Sequence, residues 1–427
     1  MYILVEYSNA TKPRYPDSVS TLALLMNKLS APVCLLHCLC CALVLAAFAA
    51  SAGQQVADAN TTSPVNERAY QDAIARIEST QGAYGTGLGE ALLGMALALQ
   101  SQGRHEEAIS VFKRGIHLTR VNEGLYSTGQ IPLLQGEIAS HMAARNYALA
   151  DERHRYLYRV QTHGITSGHA LTAAFLQQAH WQYEAYQLGL GDQGYNRLMN
   201  MWDLYRLALN DVIAREGENS PDLLTPLYGM LQAQYLISNY QWQESDQGYG
   251  DDVRARQNLH RFTAYQAQSY QKGNAVIAAI HGIEEKRAGE ELAAAQATVM
   301  LGDWRLWHGD YDAAVAAYSE AQTELAQQDD AQTYIARIFG EPVVLPDIDG
   351  LRPLPPITAP ERADILLEFG VNERGRVINL ERLDENEEQD GRAIRLMKKL
   401  RKTKFRPRFE TGQAVETEKV VKAFSIQ

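Results

Sequence analysis

One pattern of side-chain sizes, written twice, constrains the folding of this chain more than anything else in it. Counting from Ala96, an alanine follows after 12 residues (Ala108), an aromatic after 16 (Phe112) and a small residue after 19 (Gly115). Counting from Gly302, the same intervals give Ala314, Tyr318 and Ala321. Each copy also carries a glycine, Gly103 or Gly309, between its first small residue and its alanine. Two helices joined by a tight turn account for these intervals. Small residues let the two backbones approach where the helices cross, the aromatic fills the gap to the next hairpin, and the glycine adopts the left-handed conformation that ends the first helix.

Between the copies, weaker versions appear at Asn146-Tyr147 with Ala150, and at Asn239-Tyr240 after a helix opened by Ser220-Pro221 and Pro226. Proline is confined to Pro132, Pro221 and Pro226 from Val65 to Phe339, and apolar residues recur there at helical spacing without sustained alternation. The expectation is a helical repeat domain over residues 66–339, with five to seven helix pairs over residues 66–330. The pattern resembles the tetratricopeptide repeat. That resemblance implies an α-solenoid with a concave surface for a peptide or protein segment. Trp181, Tyr183, Tyr186, Trp202, Tyr205 and Trp242 are either lining for that surface or core.

Residues 340–360 hold six prolines and two glycines, a composition that reads as an extended, semi-rigid linker. Beyond it the periodicity changes. Ile365, Leu367, Phe369 and Val371 alternate, Asn372 to Gly375 make a turn, and Val377 to Leu383 give a second strand. A helix opens near Asp390 with Ile394, Met397 and Leu400 expected on its apolar face. Phe405-Arg406-Pro407, Gly412 and a last strand from Val415 to Ile426 complete a ββαβ order. With Phe369, Val371, Gly375 and Val377, these residues resemble the C-terminal domain of TonB-type energy transducers. The resemblance covers residues 361–427. It implies a periplasmic location and contact with another envelope protein by strand pairing at a sheet edge.

Charge is segregated in this last region. Asp384, Glu385, Glu387, Glu388 and Asp390 precede the helix, where they favour its positive end. From Arg392 to Arg408 nine basic residues follow without an acidic one: Arg392, Arg395, Lys398, Lys399, Arg401, Lys402, Lys404, Arg406 and Arg408. They form a candidate docking patch for acidic lipid headgroups, peptidoglycan or an acidic partner, or else a solvated face paired with acidic residues of the repeats.

The N-terminus speaks for export. Ala31 to Ala50 carries no charged side chain and ends in the small residues Ala50-Ser51-Ala52, the layout of a signal peptide over residues 26–52. Met26 is the expected start, with residues 1–25 an over-extended, disordered addition and 53–65 a flexible leader. The run is also near the length that spans a bilayer, so an uncleaved anchor is the alternative. All four cysteines, Cys34, Cys38, Cys40 and Cys41, lie inside it, which fits an oxidising destination reached without disulfides. The chain is acidic, net −11, which argues against nucleic acid as a partner.

No catalytic, metal or cofactor arrangement is expected. The ten histidines after residue 52 form no pair three or four apart. Gly85-x-Gly87-x-Gly89 has no preceding strand and no following Lys-Ser/Thr, and reads as a helix-start loop. Glu106-Glu107 and Glu284-Glu285 read as surface helix residues. The sequence thus points to a mostly α protein, a TPR-like α-solenoid followed by a small α+β domain. It would be a non-enzymatic periplasmic interaction scaffold whose partners are an envelope protein or peptide segment, an outer-membrane protein or peptidoglycan. The alternative is a membrane-anchored TonB-like transducer contacting outer-membrane receptors for transport, with a membrane as partner only if the signal stays uncleaved.

Overall fold

The computed structural model describes residues 63–191, 194–242, 253–287, 289 and 291–426. The expected start, signal segment, cleavage site and most of the leader lie outside the described residues. The protein is mostly helical with a small C-terminal sheet region. It divides into two compact units, whose described parts are residues 63–166 and 167–426.

The first unit contains α1 (Ser63–Gln81), α2 (Leu88–Ser101), α3 (His105–Glu123), α4 (Gln130–Ala143) and α5 (Tyr147–Gly164). Each helix packs on the next in chain order. Ala96 and Ala108 are fully buried, and Phe112 sits with them among Leu99, Leu133, Leu134, Leu157 and Val160. The approach of successive helices depends on missing side chains. A Cβ on Gly94 would lie 2.3 Å from the Tyr70 ring, and one on Gly136 would lie 2.3 Å from that of Phe112. Each glycine follows its aromatic by 24 residues, an interval that recurs in the second unit, where Tyr205 covers Gly229 at 2.3 Å. Gly87, left-handed at φ 89°, caps α2, so the glycine-rich stretch opens a helix.

The second unit begins with α6 (His169–Gln187), α7 (Gly194–Glu216), α8 (Leu224–Asn239), α9 (Val253–Ala267), α10 (Ser269–Glu284), α11 (Glu291–His308), α12 (Tyr311–Leu325) and α13 (Ala331–Phe339). A short 3-10 turn, Pro221–Leu223, precedes α8, and the Ser220 hydroxyl accepts from the Asp222 N–H at 3.2 Å. The packing order is α6, α7, α8, α10, α11, α12. Helix α9 stands aside from that order and closes an aromatic cluster in which the Phe262 ring lies 5.1–5.3 Å from Tyr195, Tyr240 and Trp242. Around α11 the packing is tight, with Gly273 under the Trp304 ring and Gly302 under that of Tyr318.

The remainder of this unit is the α+β region. Strands β2 (Ile365–Val371), β3 (Val377–Arg382) and β7 (Thr417–Phe424) form an antiparallel sheet in the order β3-β2-β7. Helix α14 (Asp390–Lys402) covers one face, burying Ala393, Leu396 and Leu400 against Ile365, Leu367, Phe369 and Val371. Ile394 was expected on this face and instead is 67% exposed. The stripe follows intervals of three and four, the helical mean, and not a run of threes, which drifts around the helix. Two short pairs complete the region: β1 (Val343–Val344) with β4 (Phe405–Arg406), and β5 (Arg408–Glu410) with β6 (Gln413–Val415). Gly375 in the β2–β3 turn is obligatory, because a Cβ there would meet the Phe405 carbonyl at 1.9 Å.

Residues 340–360 do not act as a spacer. Val343 and Val344 pair with β4, and Leu345 is fully buried among residues of α11 to α13. Tyr183 Oη donates to the Gly350 carbonyl at 2.6 Å. The Thr358 N–H donates to the Ala423 carbonyl and the Ser425 N–H to the Pro356 carbonyl, tying this segment to the end of β7. The prolines remove donors that an extended edge segment does not need, while the apolar residues between them supply burial.

Four helix ends share one turn. The N–H after the left-handed residue donates to the carbonyl five back at Arg104/Leu99, Asn146/His141, Leu190/Ala185 and Asp310/Arg305, at 2.8–3.0 Å. The left-handed residue is Gly103, Gly189 or Gly309 in three of them and Arg145, at φ 58°, in the fourth. A side chain in this region costs ~1 kcal/mol or more. Arg145 is exposed, so Arg145→Gly should stabilise the protein by ~1 kcal/mol, measured as a higher midpoint of urea unfolding.

Candidate functional site

The nine basic residues expected to act as one patch divide into two groups. Arg392, Arg395, Lys398, Lys399, Arg401 and Lys402 lie exposed on α14. Among the described residues none of the six forms an ion pair, and the Arg392 guanidinium makes only long bonds to Gln389 and the Ile426 carbonyl. The acidic run before the helix is engaged elsewhere in part: Arg382 holds Asp384 and Asp390, each at 2.6 Å. Pairing therefore does not neutralise this helix face.

Lys404, Arg406 and Arg408 do not belong to the patch. Their strands turn into the second unit. Lys404 donates to the Trp307 carbonyl of α11 and is half-buried. Arg408 pairs with Glu410 at 2.6 Å. Arg406 is 3% exposed, with Nη2 2.5 Å from Asp347 and Nε 3.7 Å from Asp303 on α11. Tyr318 Oη donates to the same Asp303 oxygen at 2.8 Å. Next to it Phe409 enters a three-ring cluster with Tyr318 and Phe339, centroids 5.3–5.8 Å apart. The Phe-Arg-Pro-Arg-Phe phrase is thus an anchor that fixes the α+β region to α11, α12 and α13. The sequence showed the arginine but not its two carboxylates, which lie 103 and 59 positions before it.

The sheet edges are blunted. In β3, Asn379 has φ 49°, and the register slips between Glu368/Glu381 and Gly370/Ile378, so two residues of the edge strand oppose one. In β7 the register slips as well, and residues 356–358 run along its end, with Thr358 N–H donating to Ala423 and Ser425 N–H to Pro356. A bulge or a covering segment is how sheets prevent strand addition. Neither outer strand offers a long, straight edge, so the exposed face of α14 is the stronger candidate surface.

The helices carry two concavities in the second unit. One, about 150 Å³, lies among Leu209, Leu223, Leu227, Ile283 and Lys286. The other, about 290 Å³, is lined by Leu176, His180, Tyr205, Tyr228, Gln232 and Asp349. Of the aromatics named from sequence, Trp181, Trp202 and Tyr205 are buried core, while Trp242 is 42% exposed beside α9. Glu284, expected at the surface, is buried and paired with Arg287 at 2.5 Å.

Several titrating groups are shifted by burial. Burial raises Asp303 to about 6 against the pull of Arg406, and the carboxyl is 2% exposed beneath the Tyr318 hydroxyl. Burial lowers Lys272 to about 8, where its ammonium stacks 3.7 Å from the Tyr265 ring centroid. On α4, buried Glu137 and His141 face each other at 3.6 Å, with Arg153 3.2 Å from the carboxylate. Burial pushes the acid up and the imidazole down, both toward neutrality. His169, Glu216 and Asp222 bring ligand atoms within 4.8 Å of one another. There Arg215 already lies 2.9 Å from Glu216 and 3.3 Å from His169, so a guanidinium supplies the positive charge.

Two outcomes test the anchor. Arg406→Ala leaves Asp303 buried without its cation and should cost ~3–5 kcal/mol, read as a loss of unfolding free energy in urea. Asp303 has a folded-state value of about 6, above its ordinary 3.8. Its contribution to stability is therefore full below pH 4 and is lost as pH rises through 6. Compared with Asp303→Asn, the wild type should lose ~2–3 kcal/mol between pH 4 and pH 7. Urea melts at several pH values check this.

Comparison with known proteins adds little to this geometry. No family model matches the chain, and no curated protein does. Among solved structures, the crystal structure of BtubC (BKLC) from P. vanneervenii is similar at 13% identity and a TM-score of 0.37, over 72% of this chain and 96% of that one. A likeness at that level bears on neither the repeat type nor the function.

Proposed function

We propose that this chain is a non-enzymatic protein–protein interaction scaffold of the periplasm, made of TPR-like helical hairpins and a TonB-like C-terminal region. The observation that carries the proposal is the division of labour among the basic residues. Arg406, Lys404 and the neighbouring Phe409 hold the α+β region to the helices, while α14 carries six exposed cations that form no ion pair among the described residues. An unneutralised face of this kind suits recognition of an acidic envelope component. The helical concavities of the second unit supply room for a peptide segment of a partner.

Fractionation with crosslinking tests the reading. Exported protein should begin near Gly53 by N-terminal sequencing and leave the membrane pellet after a carbonate wash. Crosslinking in intact envelopes should capture a protein partner, and Arg395→Gln/Lys399→Gln/Lys402→Gln should lower that yield several-fold. Retention in the carbonate-washed inner membrane with an intact N-terminus would replace the scaffold with the anchored transducer.

A further inference from the structure

We infer that α14 docks on an anionic phospholipid surface. This inference rests on the scaffold reading above only for the outward presentation of α14, and it names the component that the cationic face meets. At roughly 100° per residue, the buried stripe of Ala393, Leu396 and Leu400 defines one side of the helix. Arg395, Lys398 and Lys402 project from the opposite side, flanked by Arg392, Lys399 and Arg401. The outward face is therefore cationic from end to end of the described helix, over roughly 15 Å at 1.5 Å per residue.

Three observations favour a lipid surface over a shaped ligand. First, Ile394 is 67% exposed on this face. The interfacial region of a bilayer offers anions and hydrocarbon at adjacent depths, which suits an isoleucine set among cations. Second, neither of the two concavities described above is lined by α14, so neither joins a shaped site to this face. Third, the cations carry no ion pair among the described residues, and clustered Lys and Arg are each attracted to an anionic bilayer surface. The charges around the helix also set its tilt. Glu385, Glu387 and Glu388 are exposed at its N-terminal end and are repelled by the lipid. The Lys398–Lys402 end therefore lies nearest the membrane. A protein whose overall charge is −11 then meets the bilayer through one helix, and the contact weakens with salt.

The test is co-sedimentation of the purified chain with vesicles of phosphatidylglycerol and phosphatidylethanolamine, against vesicles of phosphatidylcholine alone. Wild type and variants carry the same N-terminus. Binding should require phosphatidylglycerol and fall with added salt. Arg395→Gln/Lys398→Gln/Lys399→Gln/Lys402→Gln should weaken it at least tenfold and flatten its salt dependence. Ile394→Ser should weaken it several-fold while keeping the salt dependence. Circular dichroism melts confirm that each exposed substitution leaves the fold intact. Equal binding to both vesicle types, or no change in the fourfold variant, overturns the inference. If vesicle binding is absent while the same variant loses its crosslinked protein partner, the inference fails and the scaffold reading stands. If vesicle binding follows the prediction and no protein partner is ever captured, the inference stands and the scaffold reading fails.

Discussion

A guanidinium removed from water needs carboxylates within reach, and in residues 167–427 that requirement fixes where the C-terminal sheet sits. Arg406 comes from β4, Asp303 from the middle of α11 and Asp347 from the segment after β1. Three stretches far apart in the chain must converge for the charge to be tolerated. The hydrogen bond from Tyr318 and the ring cluster with Phe339 and Phe409 surround the site with apolar contact. Such an arrangement adds little net energy compared with a well-packed apolar core, yet it specifies a single arrangement of its elements. A shifted sheet would leave the arginine buried and alone.

The helical part rests on a simpler constraint. Aromatic rings lie on glycines at Gly94, Gly136, Gly229, Gly273 and Gly302, so the helices approach to a distance no side chain would permit. The ring fills the volume that the missing side chain leaves, which keeps the packing dense. Because the same contact is used in both units, each can be built from hairpins without a large shared core.

Much of this was legible in the sequence, because it is local. Size intervals of 12, 16 and 19 residues located the helix crossings, and Ala96, Ala108 and Ala314 are fully buried. Alternation at Ile365–Val371 located the central strand. The features that escaped are those decided at long range or by one backbone angle. Arg145 stands five residues before Ala150, as Gly103 and Gly309 stand before Ala108 and Ala314, but an arginine at that place hides the left-handed turn. The prolines of 340–360 suggested a free spacer, yet Val343, Val344 and Leu345 had a strand and a core waiting for them. The basic run looked continuous because sequence reports charge without burial. The candidate surface was therefore legible as a cluster, while its boundary between Lys402 and Lys404 required coordinates.

Asn379 carries a consequence for life in a crowded compartment. A three-stranded sheet with straight rims is a template onto which other chains, including identical ones, can crystallise as fibrils. The kink in one rim and the wrapped end of the other deny that template to newcomers. Copies of this chain that meet at high concentration then find no ready rim on which to polymerise.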